Sequence, residues 1–478
     1  MLTGFTTLDL VVLVVYLVGV TAWGAWLGRG QEGGTDYFLG SRSLPWVAVM
    51  LSVVATETST LTFLSVPGVS YAGALVFLQL TLGYLAGRVI VSVFFLPAYY
   101  GGSLTTAYAL LERRFGLGAR RFTSAIFMVT RLLADSVRLF ATAIPLALIT
   151  GWPYPASIAV IGVLTVVYTY FGGIKAVVWV DAVQMGLYLF GAAVTIVAIQ
   201  MLLPDGWAGV LSSAGAEGKL TVLDFSTDVT IPYTIWAGVF GGAIFTTASH
   251  GTDQLIVQRL LTCTDQRSAQ KALVGSGVVV ILQFLLFLMV GLGLWAFYEG
   301  RTFASTDEIF ATFIVEQLPT GLTGLLIAGV FAAAMSSLSS SINSLASATA
   351  YDYWAPMVGA REDEQRILRA GKVFTLVWAG LLVGGANLFI PLSQGTSAVE
   401  VALGIASLVY GGLLGAFALG VFTKRPGQVA AIIGVAVGIG TVTLMRDLMA
   451  WPWYVLVGSS VTFVVGSLVG LVQNQPER

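Results

Sequence analysis

The stretch Phe331-Ala-Ala-Ala-Met-Ser-Ser-Leu-Ser-Ser-Ser-Ile-Asn-Ser344 lies inside a long apolar segment, yet half of it is polar. Ser336, Ser340 and Asn343 fall close to one face of a helix, and the other serines lie beside them. A helix facing lipid gains nothing from such a row. Two interpretations stay open on this stretch alone. Either the serines let helices pack closely, or their oxygens are ligands for a small cation.

Composition places this stretch in a polytopic membrane protein. The 478 residues are 57% hydrophobic and only 10% charged, whereas a soluble domain carries about 25% charged residues. The mean hydropathy is +0.88. A net charge of −1 suggests no nucleic-acid partner. The single cysteine, Cys263, excludes an internal disulfide framework.

Apolar runs long enough to cross a bilayer recur along the whole chain, since a spanning helix needs about 20 residues. We predict thirteen spans, numbered in chain order: 8–27, 44–68, 74–98, 120–148, 155–171, 176–203, 232–260, 271–298, 321–352, 368–389, 398–421, 427–446 and 451–473.

The basic residues predict the orientation of these spans. If the N-terminus is outside, seventeen of the 23 lysines and arginines fall in cytoplasmic loops or span ends, and three fall outside. This bias follows the positive-inside rule. We therefore expect a multi-pass protein of the cytoplasmic (inner, plasma) membrane with an external N-terminus and a cytoplasmic C-terminus.

Two spans are interrupted by polar residues. Span 2 contains Ser52-Val-Val-Ala-Thr-Glu-Thr-Ser-Thr-Leu-Thr62, and span 7 contains Gly241-Gly-Ala-Ile-Phe-Thr-Thr-Ala-Ser-His-Gly-Thr-Asp253. An ionisable Glu57 in mid-span is costly and marks a functional candidate. Hydroxyls around it can satisfy backbone groups freed by an unwound turn. The alternative is two kinked helices with buried polar contacts.

The spacing of the two interrupted spans predicts an inverted repeat. Spans 2 and 7 are five apart and cross the membrane in opposite directions. Two halves of five helices, each beginning with a broken helix, would place a binding site at mid-membrane. This prediction rests on spacing and polarity, not on sequence similarity between the halves.

Several motifs between residues 55 and 420 resemble the sodium:solute symporter family. They are Ala55-Thr-Glu-Thr-Ser59, Gly172-Gly-Ile-Lys-Ala-Val-Val-Trp-Val-Asp-Ala-Val-Gln184, Thr252-Asp-Gln-Leu-Ile-Val-Gln-Arg259, Ala332-Ala-Ala-Met-Ser-Ser-Leu-Ser-Ser-Ser-Ile-Asn343 and Gly411-Gly-Leu-Leu-Gly-Ala-Phe-Ala-Leu-Gly420. Together they are far more specific than any one of them alone.

The resemblance implies an all-α LeuT-like fold in one transmembrane domain covering residues 1–478. An extra first helix (8–27) would precede two five-helix repeats (44–203 and 232–421), and two C-terminal helices (427–473) would follow. The implied function is sodium-coupled import of a small polar organic solute, such as a sugar, a carboxylate or a vitamin. The chain would then be a carrier and not an enzyme, working as a monomer among membrane lipids.

The resemblance also implies the ion sites. One sodium would be held by carbonyls of Ala55, Thr58 and Ala333 and by hydroxyls of Ser336 and Ser337. A second sodium would be held by Asp181, Ser339 and Ser340. The alternative for Asp181 is a hydrogen bond to a serine or a link to Lys175, since a buried polar group needs a partner in any case.

The solute site is expected beside the broken helices. Its candidates are Ser59, Thr62, Gln79, Arg138, Thr246, Ser249 and His250. Glu57 is assigned a structural or gating role on the unwound backbone of span 2. Arg131, Asp135 and Arg138 share one side of span 4. An arginine there could bind a solute carboxylate, or it could merely pair with Asp135.

Two alternatives to sodium symport come from other classes of mechanism. A proton-coupled carrier would use Glu57, Asp181 or His250, with the serines only packing. A transporter-like sensor would share the fold, but the chain shows no cytoplasmic signalling domain. An enzyme is disfavoured because there is one histidine and no metal or nucleophile motif.

Overall fold

The computed structural model describes residues 5–102, 104–303, 305–390 and 398–472. These residues are mostly helical, and they contain one isolated β-bridge, between Leu44 and Cys263, but no strand. A helix satisfies its backbone hydrogen bonds within one segment, which is the requirement for crossing lipid.

The α-helices, in chain order, are Thr7–Leu27, Gly34–Leu39, Trp46–Glu57, Thr60–Ala72, Leu78–Ile90, Leu96–Tyr100, Ala109–Phe115, Leu117–Thr150, Tyr154–Leu202, Gly206–Ala216, Gly242–Gly251, Gln254–Leu260, Gln266–Phe297, Thr306–Gln317, Leu322–Ala348, Ala355–Met357, Glu364–Phe389, Ala398–Phe422, Gln428–Met445 and Pro452–Val472. Short 3₁₀ turns occupy Gly40–Arg42, Leu75–Phe77 and Arg446–Leu448. Wider π turns occupy Val91–Phe95, Ala237–Gly241 and Thr349–Trp354.

In the described residues, nine helices are long and apolar enough to cross a membrane, or ten with one bent pair counted as a span. One of the nine, Tyr154–Leu202, has a sharp kink at Gly173, where φ is 54° and ψ is −154°. Only glycine adopts this conformation readily. The kink separates the two spans predicted at 155–171 and 176–203. The total of thirteen spans stays a prediction.

Both predicted interruptions are present. The first broken helix consists of Trp46–Glu57 and Thr60–Ala72, and its two halves meet at a bend of 61°. The second broken helix runs from Ala237 to Gly251, stops at Thr252 and Asp253, and resumes as Gln254–Leu260. Each break frees backbone groups in the middle of an apolar segment.

The serine-rich stretch lies on Leu322–Ala348, which we call the serine helix. In the span Leu322–Met357, which contains the serine helix, 94% of an apolar segment of 18 residues is buried, compared with 28% in Thr7–Leu27. The serine helix is therefore the centre of the bundle, and Thr7–Leu27 lies at its edge. The hydroxyls of the stretch face protein and not lipid.

Candidate ion and solute site

The first broken helix and the serine helix meet at the break. Beyond the break, the Thr60 hydroxyl donates to the Val330 carbonyl at 3.1 Å. Before it, the hydroxyls of Thr56 and Ser340 lie 3.3 Å apart. These two contacts bracket Thr58 and Ser59, so the unwound turn is held against the serine helix on both sides.

All five residues predicted to bind the first sodium are buried at this junction: Ala55, Thr58, Ala333, Ser336 and Ser337. The hydroxyl oxygens of Ser336 and Ser337 have no hydrogen-bond partner. Leaving a buried hydroxyl unpartnered costs about 1–3 kcal/mol. The junction thus offers neutral oxygens to a cation, and the Asp181 carboxylate lies beside Ser336 and Thr56.

Asp181 lies nearby and is fully buried. Its Oδ2 atom accepts a hydrogen bond from Ser52 at 2.7 Å and one from the Arg259 guanidinium at 3.1 Å. Its Oδ1 atom has no partner. The suggested link to Lys175 is wrong, because Lys175 pairs with Asp36 at 2.5 Å.

The two other candidates for the second sodium turn partly toward their own helix. The hydroxyls of Ser339 and Ser340 both donate to the Ser336 carbonyl, at 3.0 and 2.6 Å. Ser340 also accepts a hydrogen bond from Arg259. Asp181 and Ser340 therefore share one arginine.

Arg259 is the functional residue that sequence reasoning missed. We counted it among the cytoplasmic span ends, but its side chain is fully buried between Asp181 and Ser52. The available signal was Asp181 itself, since a carboxylate inside a membrane requires a cationic or hydrogen-bonding partner. Arg259 ends the motif Thr252–Arg259, and its place at a predicted span end gave no sign that it is buried.

A central cavity of about 190 Å³ lies beside the two breaks. Five of the predicted solute residues line it, namely Ser59, Thr62, Arg138, Ser249 and His250, together with Glu57. Aromatic rings from several helices supply much of the remaining wall. Hydroxyls, two arginines (Arg131 and Arg138) and apolar rings suit a small amphipathic solute.

The other two solute candidates do not line this cavity. Gln79 uses its Nε2 to donate to the Tyr233 carbonyl at 3.2 Å, and its Oε1 accepts from the Asp224 backbone at 3.0 Å. It thereby holds the segment before the second broken helix. Thr246 is buried with an unpartnered hydroxyl.

The three charges of Leu117–Thr150 have unequal partners. Arg131 lies 3.6 Å from Asp135 but bonds chiefly to Asp253. Asp135 accepts from the Ser341 hydroxyl at 2.5 Å and lies 3.3 Å from Arg138. The Arg138 side chain is 24% exposed, so it lines the cavity while keeping its predicted pair with Asp135.

Glu57 does not bond to the unwound backbone as we expected. Its carboxylate pairs with Arg88, whose side chain is fully buried and also donates to the Ser276 hydroxyl at 3.1 Å. The His250 Nε2 atom is 3.7 Å from the same carboxylate. Glu57 therefore lines the cavity with a carboxylate whose charge is neutralised by Arg88.

At the second break, the Asp253 carboxylate is fully hydrogen-bonded within the protein. Asp253 caps the helix Gln254–Leu260 through its Oδ1 atom, which accepts from the Leu255 backbone at 2.9 Å. Its Oδ2 atom accepts from Tyr410 at 2.7 Å and from the Arg131 Nε atom at 3.1 Å. Three helices are joined at this point, at the edge of the cavity.

The comparisons with known proteins agree with this geometry. The model of the sodium:solute symporter family matches residues 37–438. The chain belongs to the sodium:solute symporter family. It is 31% identical to the sodium/sialic acid symporter NanT of Aliivibrio fischeri, covering 97% of this chain and 93% of the relative. It is 30% identical to the human sodium/iodide cotransporter, and this match covers 91% of this chain and 69% of the relative.

A solved structure shares the whole fold. It is described as the substrate-bound outward-open state of a Na⁺-coupled sialic acid symporter with a novel Na⁺ site. The TM-score is 0.90 at 26% identity, and the match covers 98% of this chain and 99% of that one. The predicted LeuT-like, all-α membrane fold is confirmed.

Membership of the family establishes the function class. The protein is a multi-pass membrane carrier that couples Na⁺ to the movement of a small-molecule solute, and it is not an enzyme. The described residues contain no group of three or more His, Cys, Asp or Glu side chains arranged to hold a metal. Sodium is transported here as cargo.

Proposed function

We propose that this symporter imports a small organic anion with Na⁺ bound at the first break. The observation that carries the proposal is the pair of buried, unpartnered hydroxyls of Ser336 and Ser337 beside the unwound turn at Thr58. Other buried polar atoms in the described part of the chain also lack a partner, but these two hydroxyls are adjacent in sequence and lie beside a helix break. A weakly held cation supplies the missing partner.

The first sodium is bound by carbonyls of Ala55, Thr58 and Ala333 and by hydroxyls of Ser336 and Ser337. These five ligands carry no formal charge, so the ion is held weakly enough to leave. Two halves of the protein contribute to the site, because Ala55 and Thr58 belong to the first broken helix. Bound Na⁺ consequently holds that helix against the serine helix.

A second sodium is proposed at Asp181, Ser339 and Ser340. The unpartnered Oδ1 atom of Asp181 supports it. Arg259 already neutralises the other carboxylate oxygen, so a cation at this site is bound more weakly than the carboxylate alone would allow.

The solute binds in the central cavity and contacts Ser59, Thr62, Arg138, Ser249 and His250 there. Thr246 and Gln79 do not line the cavity and support the helices around it. Two observations favour an anion. Arg138 has a single 3.3 Å contact with Asp135 and lines the cavity. Two of the relatives are named for sialic acid and for iodide. A guanidinium suits a carboxylate because it can make two parallel hydrogen bonds.

Transport follows alternating access in a monomer of the cytoplasmic membrane, with the N-terminus outside. External Na⁺ binds first and steadies the first broken helix, then the solute docks and the carrier opens inward. The membrane potential contributes about 2.3 kcal/mol per charge per 100 mV. Low cytoplasmic Na⁺ releases the ion, and the site loosens.

Uptake into proteoliposomes tests this proposal. We expect a screen of carboxylates, amino acids and neutral sugars to give uptake of carboxylates that requires Na⁺ and stops when choline replaces it. Arg138→Gln should raise the KM for the carboxylate by about tenfold or more, because a charge-assisted contact is worth about 1.5–3 kcal/mol. Arg425→Gln, on a cytoplasmic loop, is the matched control. Preferred uptake of a neutral sugar would contradict the assignment of the solute class.

A further inference from the structure

A side chain outside both broken helices reaches the first break. Gln283 lies on the helix Gln266–Phe297 and is 1% exposed. Its Nε2 atom donates a hydrogen bond of 2.7 Å to the Thr58 hydroxyl. Thr58 is also the residue whose carbonyl belongs to the proposed sodium site, so Gln283 stands one residue away from the ion.

The Thr58 hydroxyl has a single proton, and this fixes which group donates in each of its two hydrogen bonds. A threonine hydroxyl has one proton, and Thr58 donates it to the Val54 carbonyl at 2.8 Å. The hydroxyl can therefore only accept from Gln283, which must turn its NH₂ group toward Thr58. The Gln283 Oε1 atom points away and has no hydrogen-bond partner.

The helix that carries Gln283 also supports the outer half of the first broken helix. The Ser70 hydroxyl donates to the Leu288 carbonyl at 2.7 Å. A Cβ atom at Gly291 would lie 2.0 Å from the Pro67 carbonyl oxygen, so the two backbones touch there. An unbroken helix of 32 residues thus runs beside the bent one, and Gln283 contacts it at the bend.

We infer that Gln283 is a positioning residue that sets the sodium affinity of the carrier through Thr58. The bond fixes the Thr58 side chain and, with it, the turn that aims the Thr58 carbonyl at the ion. The inference rests on the proposed sodium site. Gln283 itself touches neither the ion nor the solute in this arrangement.

The arrangement separates an effect on sodium from an effect on folding. In Gln283→Leu, the Thr58 hydroxyl still donates its proton to the Val54 carbonyl, so no donor loses its acceptor. The change also removes the unpartnered Oε1 atom from the interior. Because the Thr58 hydroxyl keeps its bond to Val54, the cost to stability is limited to one lost hydrogen bond, about 1 kcal/mol. The variant should fold and still bind Na⁺ less well.

The test measures the melting temperature of the full chain in detergent as NaCl replaces choline chloride at constant ionic strength. Without Na⁺, Gln283→Leu should melt within about 3 °C of the wild type. Its half-saturating Na⁺ concentration should rise by about two- to tenfold, which corresponds to the loss of one buried hydrogen bond. Gln270→Leu is the matched control, because Gln270 lies on the same helix and bonds to the Ser92 carbonyl.

A double variant identifies Thr58 as the route of the effect. Thr58→Val removes the hydroxyl and keeps the branched shape and the carbonyl. If Gln283 acts through that hydroxyl, Gln283→Leu should cause no further loss of sodium affinity in the Thr58→Val background. Independent, multiplying effects of the two changes would overturn the inference.

Gln283→Met provides a second apolar variant, of similar length to glutamine. It cannot donate to Thr58 and carries no charge, so it should raise the half-saturating Na⁺ concentration by about the same two- to tenfold as Gln283→Leu. A half-saturating Na⁺ concentration equal to that of the wild type would overturn the inference. This outcome does not depend on whether Gln283→Leu folds.

Ser336→Ala separates failure of the inference from failure of the proposed site. If Ser336→Ala weakens sodium binding and Gln283→Leu does not, the inference is wrong and the site stands. If Ser336→Ala has the same half-saturating Na⁺ concentration as the wild type, the proposed site is wrong, and the inference falls with it.

Discussion

At Thr58 the first broken helix opens onto uncharged oxygens, whereas at Asp253 the second opens onto an arginine and a tyrosine. Ser336 and Ser337 leave two hydroxyls unpartnered at the first break. At the second, both oxygens of Asp253 are used, one by its own helix and one by Arg131 and Tyr410. The two helix breaks therefore differ in their side chains: hydroxyls at the first are unpartnered, and the carboxylate at the second is fully hydrogen-bonded.

The difference assigns different tasks to the two breaks. Neutral, unpartnered oxygens gain a partner when a cation binds, and we therefore propose that the first break responds to Na⁺. A buried ion pair is costly to separate once formed, so the second break holds three helices together without a ligand. In the proposed assignment, the first break responds to the ion, and the second is a fixed joint at the edge of the cavity.

Removing the cation from the second break should have the largest effect. Arg131→Met leaves the Asp253 carboxylate buried without a countercharge, which should destabilise the protein by about 3–5 kcal/mol. Thermal unfolding in detergent measures the loss. Arg131→Met with Asp253→Asn should recover much of it, because no lone charge remains. A single variant as stable as the wild type would show that the joint is not an ion pair.

Removing a hydroxyl from the first break should affect sodium and spare the fold. Ser336→Ala or Ser337→Ala should raise the Na⁺ concentration for half-maximal transport by about tenfold, with little change in melting temperature without Na⁺. An unpartnered hydroxyl adds nothing to the stability of the ion-free protein. Ser344→Ala is the control on the same helix. Equal effects of Ser336→Ala and Ser344→Ala would reduce the serines to packing residues.

Asp181→Asn tests whether a second ion exists. If Asp181 binds Na⁺, the Hill slope for Na⁺ should fall from near two toward one, since one ligand set loses its charge. Transport measured against NaCl at fixed solute gives the slope. A slope that is the same in the wild type and in the variant would remove the second sodium and leave Asp181 as the partner of Arg259.

A milder change at the second break should be nearly silent for sodium. Tyr410→Phe removes the hydroxyl that bonds to Asp253 but keeps the ion pair and the ring. We expect a loss of stability of about 1 kcal/mol and an unchanged half-saturating Na⁺ concentration. A shift in sodium affinity as large as that of Ser336→Ala would contradict the division of tasks between the breaks.

The smallest effect is expected outside both breaks, at Glu112 on the short helix Ala109–Phe115. Burial raises the pKa of the Glu112 carboxyl, but hydrogen bonds from Arg120 and Arg361 outweigh it and hold the pKa below its ordinary 4.5. The stabilisation is therefore present above pH 4.5 and is lost as pH falls through the lower, folded pKa. The melting temperature falls when the pH is lowered from 6 to 3.5. We expect this fall to be about 1 °C smaller in Glu112→Gln than in the wild type.

The sequence by itself determined the class of fold and indicated where the candidate site lies. Long apolar runs can cross lipid only as helices, and hydroxyls inside them must face protein. These two facts located the interruptions near Glu57 and His250 and the serine stretch opposite them. The family resemblance then supplied ligands whose positions the breaks already favoured.

Only the tertiary structure decided which charges share a partner. Asp181 and Arg259 are 78 residues apart, and Arg131 and Asp253 are 122 apart. Local periodicity carries no information on such pairs, because they depend on how the helices pack. For the same reason, we expected Glu57 to bond to backbone and instead found Arg88, and nothing in the sequence connected Gln283 to Thr58.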